Sequence, residues 1–116
     1  MKRVAFLSGP YRATAEKTVL DHIRQAEQYA IALWREGYAV ICPHLNTAHF
    51  DGLCPDSMWL EGDLEILSRL RTTDLIFMIP GWERSEGSKA EKKRAEELGI
   101  PIFYSLEELK GCLSTQ

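Results

Sequence analysis

Arg3-Val4-Ala5-Phe6-Leu7 leads into Ser8-Gly9-Pro10 close to the start of the chain. The apolar run does not alternate with polar residues, as a strand buried on both faces requires. The Ser-Gly-Pro triplet then breaks it as a turn. Downstream, a helical pattern extends over about residues 14–36, with apolar positions at Val19, Leu20, Ile23, Ala26, Ala30, Leu33 and Trp34. Their three- and four-residue spacing makes one stripe facing a sheet. On this reading Trp34 is core and His22 lies on the solvated side. Gly37 stands where a helix C-terminal glycine belongs.

The strand-then-helix unit recurs. Tyr38-Ala39-Val40-Ile41-Cys42 reads as a second strand closed by Pro43. Residues 44–55 are polar, irregular and long for a connection. Asp56 is suited to cap a helix carrying Met58, Leu60, Leu64, Ile66, Leu67 and Leu70. Leu75-Ile76-Phe77-Met78-Ile79 is a third strand, followed by a loop over residues 80–87. A charged helix over about 88–98 stops at Gly99, and Pro101-Ile102-Phe103-Tyr104 is a fourth strand. Ser105-Leu106-Glu107-Glu108 has the pattern of a capping box opening a final short helix. Continuous apolar strands alternating with helices call for an α/β fold. The expected architecture is a single doubly wound parallel sheet of four to five strands with helices on both faces.

At 116 residues the chain suffices for one domain, 1–116, and its hydrophobic content of 45% can fill a core. The net charge of −3 is spread along the chain, with no basic track for a nucleic-acid polymer. No apolar stretch is long enough to span a bilayer, and Val4 to Ser8 is too short for a signal-peptide core. A soluble cytoplasmic protein is expected. Three widely spaced cysteines, Cys42, Cys54 and Cys112, argue against a disulfide framework.

In such a sheet the strand-to-helix loops share the C-terminal edge, where ligands bind at a reversal of strand order. Tyr11 and Arg12 follow the first strand; His44, Asn46 and His49 follow the second. Ser85, Gly87, Ser88 and Glu91 follow the third, and Asp63 lies in the helix before it. Two carboxylates can divide nucleophile and acid roles in an attack at a sugar carbon when their environments separate their pKa values. Glu91, near a helix N-terminus, is expected to be ionised by the dipole. Asp63, if more buried, would hold the proton for a leaving group. Ser85, Gly87 and the helix N-terminus offer donors to a phosphate, with Arg12 adding charge.

The Phe6-Leu7-Ser8-Gly9-Pro10-Tyr11 opening, Asp63-Leu64-Glu65 and Asp74-Leu75-Ile76 resemble segments of the nucleoside 2-deoxyribosyltransferase superfamily. Ser85-x-Gly87-x-x-x-Glu91-x-x-x-Ala95, followed by Gly99-Ile100-Pro101-Ile102, resembles the nucleophile helix of the deoxyribonucleoside 5′-monophosphate N-glycosidases within it. A phage and bacterial branch shares segments similar to Ser8-Gly9-Pro10-Tyr11-Arg12-Ala13, Pro43-His44-Leu45-Asn46-Thr47 and Pro80-Gly81-Trp82-Glu83-Arg84-Ser85-Glu86-Gly87. The resemblance implies a flavodoxin-like (Rossmann-like) fold in a homodimer or larger homo-oligomer. It implies an N-glycosidase acting on a nucleoside or nucleoside 5′-monophosphate, with Glu91 as nucleophile, Asp63 as acid, Tyr11 as an orienting group and Ser85 as a phosphate ligand. Ser8, Gly9 and Arg12 stand in the place of the glycine-rich phosphate loop. No metal or organic cofactor is called for. A non-catalytic nucleotide-binding or sensing module is the alternative.

Several of these residues have plainer readings. Ser88-x-x-Glu91 is also a capping box, and Ser85 is an alternative N-cap. Asp63 can also be read as a solvated helix residue, Tyr11 as a surface turn residue and Arg12 as a solvated surface charge. Cys42, His44, His49 and Cys54 are zinc-ligand types, but their spacing is not that of paired knuckles, and no zinc site is expected. His44 and Asn46 are placed at the pocket mouth. Trp82 either stacks on a base or covers a loop. Asp74 is given a structural role, and the Lys89, Lys92, Lys93 and Arg94 cluster a solvated one.

Overall fold

A computed structural model describes residues 1–48, 50 and 52–114. Its strands are β1 (Val4–Ser8), β2 (Ala39–Ile41), β3 (Leu75–Met78) and β4 (Ile102–Phe103). All pair in parallel, in the order β2-β1-β3-β4. The helices are α1 (Val19–Arg35), α2 (Pro43–Asn46), α3 (Asp56–Ser68), α4 (Glu86–Leu98) and α5 (Leu106–Ser114), with a 3₁₀ turn at Trp82–Arg84. The doubly wound α/β sheet is therefore present, with four strands. The first crossover carries the chain from β1 to β2, and the next carries it back past β1 to β3. The strand order thus reverses between β1 and β3, which opens a crevice at their C-terminal ends.

Alternation along the strands divides the core in two. Ala5, Leu7, Leu75 and Phe77 face Ala26, Ala30 and Leu33 of α1 and Leu109 of α5. Phe6, Ile76 and Met78 face Leu67 of α3 and Ala95 of α4. Burying each large side chain contributes roughly 1.5–3 kcal/mol. Ser8, next on the Phe6 side of β1, is thereby directed toward the α3–α4 layer.

The helix expected over 14–36 begins later, at Val19. Thr14 Oγ1 accepts from the backbone N–H groups of Glu16 and Lys17, folding this stretch into a turn. Thr18 then caps α1 through a complete capping box with Asp21. The stripe facing the sheet runs through Ile23, Ala26, Ala30 and Leu33. Two adjacent residues cannot both point at the sheet, so Leu33 takes the core and Trp34 is 55% exposed. His22 falls on the inner stripe and is only 4% exposed, contrary to the solvated placement. Asp56 is the first residue of α3 rather than its cap. Asp74 accepts from the N–H groups of Val4 and Arg71, and so pins the start of β1 to the turn before β3. At the far end, Ser105 Oγ accepts from the N–H of Glu108 at the start of α5. No helix among the described residues is long and apolar enough to cross a membrane.

The crevice depends on Gly9. A Cβ built there would lie 2.7 Å from Ile79 Cβ, closer than real side chains come. Gly9→Ala is expected to destabilise the fold by about 1–3 kcal/mol through overpacking, read as a Tm lowered by at least about 4 °C. Gly62→Ala in α3, where nothing lies within 4 Å, should raise stability by up to about 1 kcal/mol. Equal Tm values for the two variants would contradict this account.

Candidate functional site

At the reversal point Ser8 Oγ donates a 2.6 Å hydrogen bond to Glu91 Oε1, and both groups are buried. The Ser8 carbonyl accepts from the N–H of Ile79 at 2.7 Å, which holds the strand ends together. Glu91 reaches this position because α4 starts early. Ser85 is its N-cap, with Oγ accepting from the N–H of Ser88 at 3.1 Å. The cap is therefore Ser85 and not Ser88, which leaves Glu91 in the second turn, facing the sheet.

Glu91 is 6% exposed. Desolvation pushes its carboxyl up to about 8; the Ser8 hydrogen bond opposes the rise and the nearby Asp63 charge adds to it. Asp63, half-buried on α3, is raised to about 6 by desolvation. The expectation that the helix dipole keeps Glu91 ionised while Asp63 holds the proton is thus reversed. The dipole acts over the first turn, whereas Glu91 lies beyond it and deeper than Asp63.

The two carboxyls line one cavity of about 750 Å³. Its walls are the segment after β1, the inward face of α3 and the start of α4. Gly9, Tyr11, Arg12, His44, Asp63, Ser85, Gly87 and Glu91 all border it, with Ser8 bonded beneath through Glu91. His44 Nε2–H donates to the Pro10 carbonyl at 2.8 Å, and the Tyr11 ring meets the imidazole edge-on at 5.6 Å. Burial lowers the His44 pKa, favouring the neutral ring that this contact suits. Arg12 and Asp56 form a 2.7 Å ion pair linking the segment after β1 to α3. Both side chains are well exposed, so the pair adds at most about 1 kcal/mol and is easily exchanged for a ligand.

Two expected site residues lie elsewhere. Asn46 borders a separate groove with Trp34, Val40 and Ile66. Residues two apart on a helix point roughly 200° apart, so α2 turns His44 inward and Asn46 away. Trp82 packs on Tyr104 at 5.8 Å, beneath the Lys92 ammonium and against the α3–α4 core. His49 lies outside the described residues. Among those residues no three His, Cys, Asp or Glu side chains converge as a metal site, and Cys42 and Cys54 are free thiols.

The cavity also contains residues that sequence reading passed over. Trp59 and Asp56 share the Asp63 face of α3, at i−4 and i−7, a spacing that points to them once Asp63 is chosen. Ser88, which the chain order already placed on this edge, lines the cavity with a buried hydroxyl that has no hydrogen-bond partner among the described residues. Arg84 and Thr47 complete the rim.

Residues 4–104 match a family described as a domain of unknown function, DUF4406. The chain belongs to that family. The match takes in all four strands and every residue bordering the cavity of this DUF4406 domain. A search of curated proteins finds no match to the sequence.

Because the native state of the DUF4406 domain holds the Glu91 proton up to about 8 against an ordinary value of 4.5, folding takes up a proton between those values. Stability therefore falls as pH rises through this window and levels off above it. Glu91→Gln removes the effect. The Tm of the variant relative to wild type should rise from pH 5 to about pH 8 and level off above, measured by circular dichroism. Parallel Tm curves would show that Glu91 is not buried as described.

Proposed function

We propose that this DUF4406 domain is an N-glycosidase that cleaves the base–sugar bond of a nucleoside or nucleoside 5′-monophosphate. The observation that carries the reading is the pair of carboxyls, one anchored by Ser8, in one cavity at the strand-order reversal. Between about pH 6 and pH 8 the pair holds one proton and one negative charge. Such apparent values belong to the coupled pair. A group that donates a proton and a group that attacks carbon are then available together.

The Asp63 proton passes to a ring nitrogen of the departing base as the C1′–N bond breaks. A Glu91 carboxylate oxygen bonds to C1′. Water, deprotonated by Asp63, then displaces Glu91 and restores both groups; a second base in place of water would make the reaction a transfer. Deeper burial favours the shared proton on Glu91, so it must move to Asp63 before the attack. Ser8 fixes the rotation of the Glu91 carboxyl. The start of α4, with Ser85, Ser88 and the N–H groups of Glu86 and Gly87, offers donors to a 5′-phosphate. Tyr11 borders the cavity, where its phenol would orient a sugar hydroxyl.

One observation favours a second reading. A Glu91 that rests protonated is a good hydrogen-bond donor, as a non-catalytic nucleotide-binding module would use it.

Incubation with a panel of nucleosides and nucleoside 5′-monophosphates, followed by chromatography for free base, separates the two. The glycosidase reading expects release of free base, reduced at least about 10³-fold by Glu91→Gln and roughly 10²–10⁴-fold by Asp63→Asn. The rate should follow a bell in pH, falling below about 6 as Asp63 takes up a second proton and above about 8 as the shared proton is lost. No release from any substrate, together with a rise in Tm on adding one of them, would transfer the reading to the binding module.

A further inference from the structure

We infer that Trp59 is the platform on which the aromatic base of the substrate stacks; this rests on the glycosidase reading and assigns the base end of the site. Trp59 precedes Asp63 by four residues on α3, and both border the cavity. Their side chains therefore share one face of the helix, about 6 Å apart along its axis. The Trp59 ring is half-buried, and the Phe50 ring packs against it at 6.1 Å and 42°, restricting its movement. Leu60 follows it on the same wall, and Leu7 and Pro43 are apolar members of the lining. The other tryptophans are committed elsewhere, Trp34 beside the separate groove and Trp82 against Tyr104.

The surfaces of Trp59, Leu60, Leu7 and Pro43 have little to offer a sugar or a phosphate by hydrogen bonding, although Asp56, Ser57 and Asp63 flank them on α3. An indole face attracts a planar π-system, and every nucleobase presents one. A base lying on Trp59 sits one helical turn from Asp63, the group from which its ring nitrogen must take a proton as the glycosidic bond breaks. The sugar then lies toward Glu91 and a 5′-phosphate toward the start of α4. Binding energy from the base is in this way connected to the position of the acid.

The test is done in the Glu91→Gln protein, so that complexes persist. Calorimetric titration compares a panel of ribo- and deoxyribonucleosides and their 5′-monophosphates with ribose 5-phosphate, which has no base. Adding Trp59→Leu should weaken nucleotide binding roughly tenfold to a hundredfold, with Trp59→Phe restoring most of it. Ribose 5-phosphate should bind all three proteins alike, which also shows that the leucine variant is folded. Unchanged nucleotide affinity in Trp59→Leu would overturn the platform while leaving the glycosidase reading intact. Equal weakening of nucleotides and ribose 5-phosphate would make Trp59 a structural residue and overturn it also. If the parent protein binds neither a nucleoside nor a nucleotide, the platform and the glycosidase reading fall together.

Discussion

Burying a carboxyl group costs several kcal/mol unless it keeps its proton or gains a hydrogen bond, and Glu91 does both. The Ser8–Glu91 contact ties α4 to the central strand at the one place where the sheet order reverses. The features around it serve that contact. Gly9 lets β1 run past Ile79 without a side chain in the way. Ser85 starts α4 early enough for Glu91 to fall in its second turn. Phe6 and Met78, on the same side of the sheet as Ser8, pack beneath α3 and α4.

The cavity above this contact is built from segments distant in sequence, and each wall offers different chemistry. The α3 wall has an aromatic and aliphatic middle, Trp59 and Leu60, set between Asp56 and Ser57 on one side and Asp63 on the other along the helix. The α4 wall begins with hydroxyls and helix-terminal N–H groups. The segment after β1 contributes Tyr11 and Arg12, steadied by the His44 bond to Pro10 and the Arg12–Asp56 pair. These two ties differ in kind. The first is part-buried and between neutral groups, and holds the backbone; the second is exposed and ionic, and is weakened by salt and water. An anion entering the cavity would compete with Asp56 for Arg12 without disturbing the backbone beneath.

Desolvation, not the helix dipole, sets the charge of this site. A dipole contributes well under the energy of removing a carboxylate from water once the group lies beyond the first turn. The same reasoning applies to the two buried histidines: burial lowers the pKa of both His22 and His44. Burial thus keeps the imidazoles neutral and raises the carboxyls, so the crevice carries less charge at neutral pH than its residue list implies.

Much of the fold was legible in the sequence because parallel strands buried on both faces are unbroken apolar runs. Val4 to Leu7 and Leu75 to Met78 have no other comfortable home, and alternation with helices then dictates a doubly wound sheet. The chain order also brings Tyr11, Asp63, Ser85 and Glu91 to one edge, because every strand-to-helix loop of a parallel sheet lies there. What remained hidden depended on rotation about helix axes and on depth. A sequence lists Leu33 beside Trp34 and His44 two residues before Asn46, but only packing decides which of each pair faces inward. It lists Glu91 and Asp63 as two acids, but only the distance of each from water decides which keeps its proton. Periodicity along the chain, a local property, determined the sheet and its helices; helix phase, cavity walls and charge are collective properties, and the tertiary structure alone decided them.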